Sequence, residues 1–140
     1  MQSPSNLLHE LLEQHAVIRS FIKRCQELLE REESGDLQVQ ELVQAVSKLR
    51  WAVESHNRVE EQLLTPVLQE TDAFGEQRVA QMVAEHKEEH ARIGERLESP
   101  VADSLRRTLA ELLEHLEAEE RYFLTSRVLR DDLVTVEGGG

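Results

Sequence analysis

Four stretches of this 140-residue chain carry apolar residues at alternating spacings of three and four, the repeat that lays one stripe along a helix. In the first, the stripe is Leu8, Leu11, His15, Ile18, Ile22, Cys25 and Leu29. In the second it is Leu42, Val46, Leu49, Val53, His56, Glu60, Leu63 and Val67. The third reads Val79, Val83, His86, His90, Ile93 and Leu97, and the fourth Leu105, Thr108, Leu112, His115, Glu119 and Tyr122. Each stripe is apolar except at one level, where it turns to imidazole and carboxylate. A buried polar group without a partner costs ~2–7 kcal/mol, and an isolated buried charge far more. Five histidines and two glutamates can share such an interior if something satisfies them together. A metal centre does so.

Between the stripes the breaks are marked by Ser34-Gly35-Asp36, by Thr71-Asp72-Ala73-Phe74-Gly75 and by Ser99-Pro100. Ser3-Pro4-Ser5 precedes the first stripe, with Ser5 or Asn6 as its cap. The pattern therefore predicts helices over 6–33, 37–70, 74–98 and 101–130. Pro66 should kink the second or end its regular part, because proline has no amide proton. No strand-like alternation of useful length is present. Loops this short force antiparallel neighbours, so the fold is all-α: an up-down-up-down antiparallel four-helix bundle over 1–132, with a short flexible C-terminal tail at 133–140. At a rise of ~1.5 Å per residue, His15 and His56 sit at one height along the bundle. The third and fourth helices match within about 6 Å, which tilt can absorb.

Charge and cysteine use narrow the functional classes. A formal net charge of −12 argues against nucleic acid and anionic membranes, both of which require a basic face. Cys25 is the lone cysteine, lies on a stripe and reads as an inert core thiol. The first residues lack a basic segment followed by an apolar one, and no run of ~18 apolar residues exists, so the expected address is cytoplasmic.

Residues four apart on a helix share a face, so His56/Glu60, His86/His90 and His115/Glu119 each present two groups to one point, and His15 adds one. Five neutral nitrogens and two carboxylates exceed the four ligands of zinc and are too nitrogen-rich for calcium or magnesium. Two first-row transition ions suit them, with iron favoured over manganese or zinc. The Glu-x-x-His pattern of ferritin-like carboxylate sites is absent: the residues three before the histidines are Asn6, Leu12, Val53, Val83, Lys87 and Leu112. A His-x-x-x-Glu-Glu frame occurs twice, at 56–61 and 115–120, on two helices that run the same way.

The series His15…His56-x-x-x-Glu60…His86-x-x-x-His90…His115-x-x-x-Glu119 resembles the hemerythrin-like (HHE cation-binding) family over 6–130, with all seven positions filled in order. The resemblance implies one iron on His86, His90 and His115 and another on His15 and His56. It further implies Glu60 and Glu119 as bridges, an oxo or hydroxo group between the two iron ions, and an open position on the two-histidine iron. The implied ligand is O2 or another small diatomic or peroxide, and the implied function is an oxygen carrier, scavenger or redox or gas sensor. The alternative is a diiron enzyme with peroxidase, catalase-like or ferroxidase activity; a third is an interaction protein switched by its metal state. Glu119, on the seam, is preferred over Glu120 as the bridge, and both Glu61 and Glu120 are expected to be solvated neighbours. Asn57 stands where the oxygen carriers of the family have an aromatic ring. His9, off the stripe, should be a surface residue, and Tyr122 lies one turn past Glu119. The tail at 133–140 is either frayed or a docking peptide, as in family members packaged as cargo of a protein shell.

Overall fold

Ser3 and Pro4 set the start of the first helix. The Asn6 amide donates to Ser3 Oγ at 3.3 Å and the Leu7 amide to the Ser3 carbonyl at 2.9 Å, while Pro4 fills the first helical position, where no amide proton is needed. The cap is thus Ser3, ahead of the Ser5 or Asn6 expected from the sequence. Ser5 has another role: its amide and hydroxyl donate to the Asp131 carboxylate at 2.9 and 2.8 Å. That anion lies against the positive end of the helix and ties the two ends of the described chain together.

The computed structural model describes residues 3–33, 39–71, 74–98 and 102–131. They form α1 (Pro4–Glu33), α2 (Val39–Val59), a five-residue π-helical turn (Glu60–Leu64), α3 (Thr65–Thr71), α4 (Gly75–Glu98) and α5 (Ala102–Tyr122), with no strand among them. The turn and α3 extend the line of α2, so four rods result. Neighbours are α1 with α2, α2 with α4, α4 with α5, and α5 with α1, which closes an antiparallel ring of the expected all-α, up-down-up-down kind. The tail at 133–140 lies outside the described residues, as do the side chains of Ile93 and Leu97.

Ahead of Pro66 the regular part of the second rod does stop, at Val59, but the rod itself continues past the proline. The helix widens over Glu60–Leu64, the turn just before the proline, and α geometry resumes at Thr65. One extra residue in that turn shifts the register beyond Glu60. Leu63, expected on the inward stripe, is 44 % exposed, and Leu64 is buried in its place. Gly75 belongs to the same junction: a Cβ there would collide with the Leu68 backbone oxygen, so only glycine lets α4 start this close to α3.

Two further stripes need correction. On α4 the inward line runs through Met82, His86 and Glu89, and Val83 is 42 % exposed. Met82 buries against Leu64, Val67 and Leu68, so the shifted register sets the rotation of α4 as well. The fourth helix ends at Tyr122 rather than 130. Beyond it Phe123, Leu124 and Leu129 fold back in turns, held by Thr125, whose hydroxyl and carbonyl both accept from the Val128 amide at 3.2 Å. Tyr122 itself is 54 % exposed, with the Arg121 guanidinium over its ring.

Apolar packing divides into two clusters. One, around Ile18, Ile22, Leu28, Leu49, Leu109 and Leu112, fills the end of the bundle toward the α1–α2 connection. The other, around Leu7, Leu11, Leu64, Leu68, Phe123 and Leu129, fills the opposite end. Each of these side chains contributes ~1.5–3 kcal/mol on burial. Between the clusters lies a single polar layer. Cys25 is fully buried in the first cluster, and burial pushes its thiol up to about 11, so it stays protonated and inert.

Candidate metal centre

The polar layer is made of His15 from α1, His56 from α2, Glu60 at the start of the π-helical turn, His86 and Glu89 from α4, and His115 and Glu119 from α5. All are buried except His115, whose side chain is 15 % exposed. Two groups converge: His15, His56, Glu60 and Glu119, and His86, His115 and Glu119. Glu119 belongs to both. Its Oε1 lies 3.0 Å from His15 Nε2 and 3.5 Å from His56 Nε2, and its Oε2 lies 3.1 Å from His86 Nε2 and 3.2 Å from His115 Nε2. Glu60 spans the layer in the same way, with Oε2 2.8 Å from His56 and Oε1 2.8 Å from His86. Each carboxylate therefore offers one oxygen to each group.

These spacings fit a cation better than they fit hydrogen bonds. Ligand atoms ~2.1 Å from one ion and at right angles about it stand ~3.0 Å apart. The Nε2 atoms of His15 and His56, two groups that compete for a proton if nothing lies between them, are 3.1 Å apart. Neither oxygen of Glu60, nor His115 Nε2, makes an aligned hydrogen bond among the described residues, although all three are sealed from solvent. Buried polar atoms seldom remain so. The donor set, imidazole with carboxylate, matches transition ions rather than calcium or magnesium.

Electrostatics inside the layer point the same way. Burial alone would push the four histidines down, but contacts with Glu119, joined by Glu60 for His15, His56 and His86 and by Glu89 for His115, outweigh it. His15 rises to about 10 and His86 to about 11, and His56 and His115 also rise. For Glu119, burial favours the neutral acid, yet contacts with His115, His15, His56 and His86 hold it well below the usual carboxylate range. The layer carries concentrated negative charge that must be met by positive charge, supplied by protons or by a bound cation.

Three of the histidines are also held from behind. His15 Nδ1 donates to Glu120 at 2.7 Å, and Glu120 in turn accepts from Arg19 at 2.7 and 3.1 Å. His56 Nδ1 donates to Gln14 Oε1 at 2.8 Å, and His86 Nδ1 to Glu61 at 3.1 Å. A proton fixed on Nδ1 leaves the Nε2 lone pair directed at the centre, the arrangement metal-binding histidines adopt. Glu120 and Glu61, expected to be solvated neighbours, lie outside the converging groups but orient two of their members.

Of the seven residues singled out in the sequence, His15, His56, Glu60, His86, His115 and Glu119 are brought together; the side chain of His90 lies outside those described. His9 is on the surface, paired with Glu13 at 3.0 Å. Tyr122 faces away from the layer. Sequence reasoning misses Glu89. It is 6 % exposed, its Oε1 accepts from Asn57 Nδ2 at 3.1 Å, and its Oε2 stands 3.2 Å from His115 Nε2. Burial raises its carboxyl above the usual range, countered by His115 and Asn57. The chain does carry a signal for it, since 82, 86 and 89 keep the same three-and-four rhythm as the stripe through 83 and 90.

No helix among the described residues is long and apolar enough to cross a membrane. Comparison with curated proteins and with solved structures gave no match. A family profile, the hemerythrin HHE cation binding domain, matches residues 6–125. That span takes in both converging groups and the helices that carry them, and the chain belongs to the hemerythrin HHE cation-binding domain family.

Proposed function

We propose that the protein is a non-heme diiron protein that binds O2 or a related small ligand, with His15, His56, Glu60, His86, His90, His115 and Glu119 as its metal ligands. One observation supports this reading: two converging groups share Glu119, and Glu60 reaches from His56 in one to His86 in the other, an arrangement that suits a pair of cations. His15 and His56 would hold one ion, His86, His90 and His115 the other, and the two carboxylates would join them. Iron, when bound there, supplies the redox chemistry and a position for the external ligand.

The chain's own residues do the rest. Glu120, Gln14 and Glu61 fix the imidazoles, and the two apolar clusters exclude water from above and below. A cavity of about 210 Å³ ends at His56, lined by Val17, Ile18, Ala52, Val59 and the exposed Trp51 among others, with no Asp, Glu, Lys or Arg among its described lining residues. Such a path suits an apolar diatomic arriving at the two-histidine side. Anaerobic iron reconstitution followed by elemental analysis should give two irons per chain. Mixing the reduced protein with O2 should then give a persistent spectral change that reverses when O2 is removed. One iron or none would overturn the paired site; rapid multiple turnovers with peroxide would replace binding by enzymatic chemistry.

A further inference from the structure

The acceptors behind three of the histidines differ in charge. His15 Nδ1 donates to the Glu120 carboxylate at 2.7 Å, and Arg19 partly balances that charge. His86 Nδ1 donates to the Glu61 carboxylate at 3.1 Å, in a cavity wall that also holds Arg58 and Lys87. His56 Nδ1 donates at 2.8 Å to Gln14 Oε1, the oxygen of an uncharged amide.

Helix geometry places that amide. On α1, Val17 and Ile18 lie three and four residues on from Gln14, so the three share a side. On α2, Ala52, His56 and Val59 do the same. The two sides line the cavity of about 210 Å³, which has no Asp, Glu, Lys or Arg among its described lining residues. Gln14 therefore has two places at once. It belongs to the wall of the apolar cavity, and it holds the histidine at which that cavity ends.

We infer that Gln14 tunes His56: it orients the ring but leaves it a weaker electron donor than a carboxylate would, so the metal position beside the apolar cavity favours the lower oxidation state of its ion. The inference rests on the diiron reading above and deepens it, because a ligand such as O2 binds the reduced metal. A carboxylate acceptor pulls the Nδ1 proton toward itself and pushes electron density onto Nε2, which stabilises the more highly charged ion. A neutral amide fixes the same tautomer and ring orientation with less of that push. Hydrogen bonds behind a metal ligand are among a protein's levers on reduction potential. Nothing on the described cavity wall supplies the charge that Gln14 lacks. Gln14 is a positioning residue here, acting through His56.

The test uses the full-length protein, reconstituted anaerobically with two irons per chain and titrated potentiometrically with an absorption readout. Gln14→Glu keeps an acceptor and adds charge, whereas Gln14→Met keeps the length and removes the acceptor. The midpoint potential should fall in Gln14→Glu and rise in Gln14→Met, each by about a tenfold change in the balance of oxidised and reduced protein, or about 59 mV for one electron. A merely structural role would move both variants the same way. Ser55, on the same cavity wall, has its hydroxyl turned to Arg58 at 3.4 Å, so Ser55→Asp adds charge to the cavity without replacing the His56 acceptor. Its shift should be less than half that of Gln14→Glu. In Co2+ titration, Gln14→Met should weaken one of the two sites about tenfold and Gln14→Glu should restore it. Potentials that move in the same direction or not at all overturn the role of Gln14 while leaving the metal centre intact. So does a Ser55→Asp shift as large as that of Gln14→Glu, or a Gln14→Met protein with both Co2+ affinities unchanged. Unaltered protein that holds fewer than two irons overturns the diiron reading and this inference with it.

Discussion

Replacing Glu120 by alanine should weaken one cation site and spare the other. Glu120 is the residue behind His15: it accepts from Nδ1 at 2.7 Å and is itself held by two hydrogen bonds from Arg19. Loss of a partner of this kind reduces metal affinity about 10–100-fold. At about 1.4 kcal/mol per decade this is roughly 1.4–2.8 kcal/mol, all of it on the side that contains His15 and His56. The same substitution should also lower fold stability by about 1–3 kcal/mol, because it leaves the buried His15 Nδ1–H without its acceptor, whereas loss of the exposed Arg19 pair adds about 1 kcal/mol or less. Glu61→Ala should weaken the other side by less, since its contact with His86 is longer, at 3.1 Å, and Glu61 is 40 % exposed. Competitive Co2+ titration monitored by absorption would resolve the two sites as separate phases. The Glu120→Ala protein should show one phase shifted and one in place. Equal weakening of both phases, or none of either, would refute the assignment of Glu120 to a positioning role on His15.

Other tests address the fold and the charge balance. In the metal-free protein, His15 and His86 keep their protons to about 10 and 11, above the usual 6.5. The stability they confer is therefore whole below about pH 6.5 and lost as pH rises toward 10 and 11. The metal-free melting temperature should fall between pH 7 and 9, and the gain from added metal should grow over the same range because the ligands must be deprotonated; a metal-free melting temperature that climbs instead would refute the balance described here. Gly75→Ala should destabilise by about 1–3 kcal/mol in urea unfolding, because the new Cβ meets the Leu68 backbone oxygen. Leu64→Ala should cost about 2–5 kcal/mol and Leu63→Ala under about 1 kcal/mol, the reverse of what the unbroken stripe implies.

The limits of the sequence pattern have a physical cause that the two repeated frames make visible. His56 and Glu60, like His115 and Glu119, lie four apart where the helix is still regular, and there spacing alone fixes which side chains share a face. Beyond each carboxylate the regularity stops. Past Glu60 the helix widens into the π-helical turn; past Glu119, the amides of Phe123 and Leu124 both donate to the Glu119 carbonyl, at 2.8 and 2.7 Å, the second across five residues. An extra residue in a turn rotates everything after it by about 100°. Leu64 therefore replaces Leu63 in the core, and Phe123 rather than Tyr122 continues the inward line. Pro66 announces the first irregularity but not its form, since a missing amide proton permits a kink, an end or a widened turn, and packing against α4 decides among them. Nothing comparable to Pro66 marks the second. Glu89 is obscured for a related reason: two adjacent lines on α4 both alternate by three and four, and the rotation that favours Met82, His86 and Glu89 comes from the register shift on the neighbouring rod. The layer is legible because it lies on the regular side of both irregularities, whereas the core beneath it depends on contacts between rods that no single stripe records.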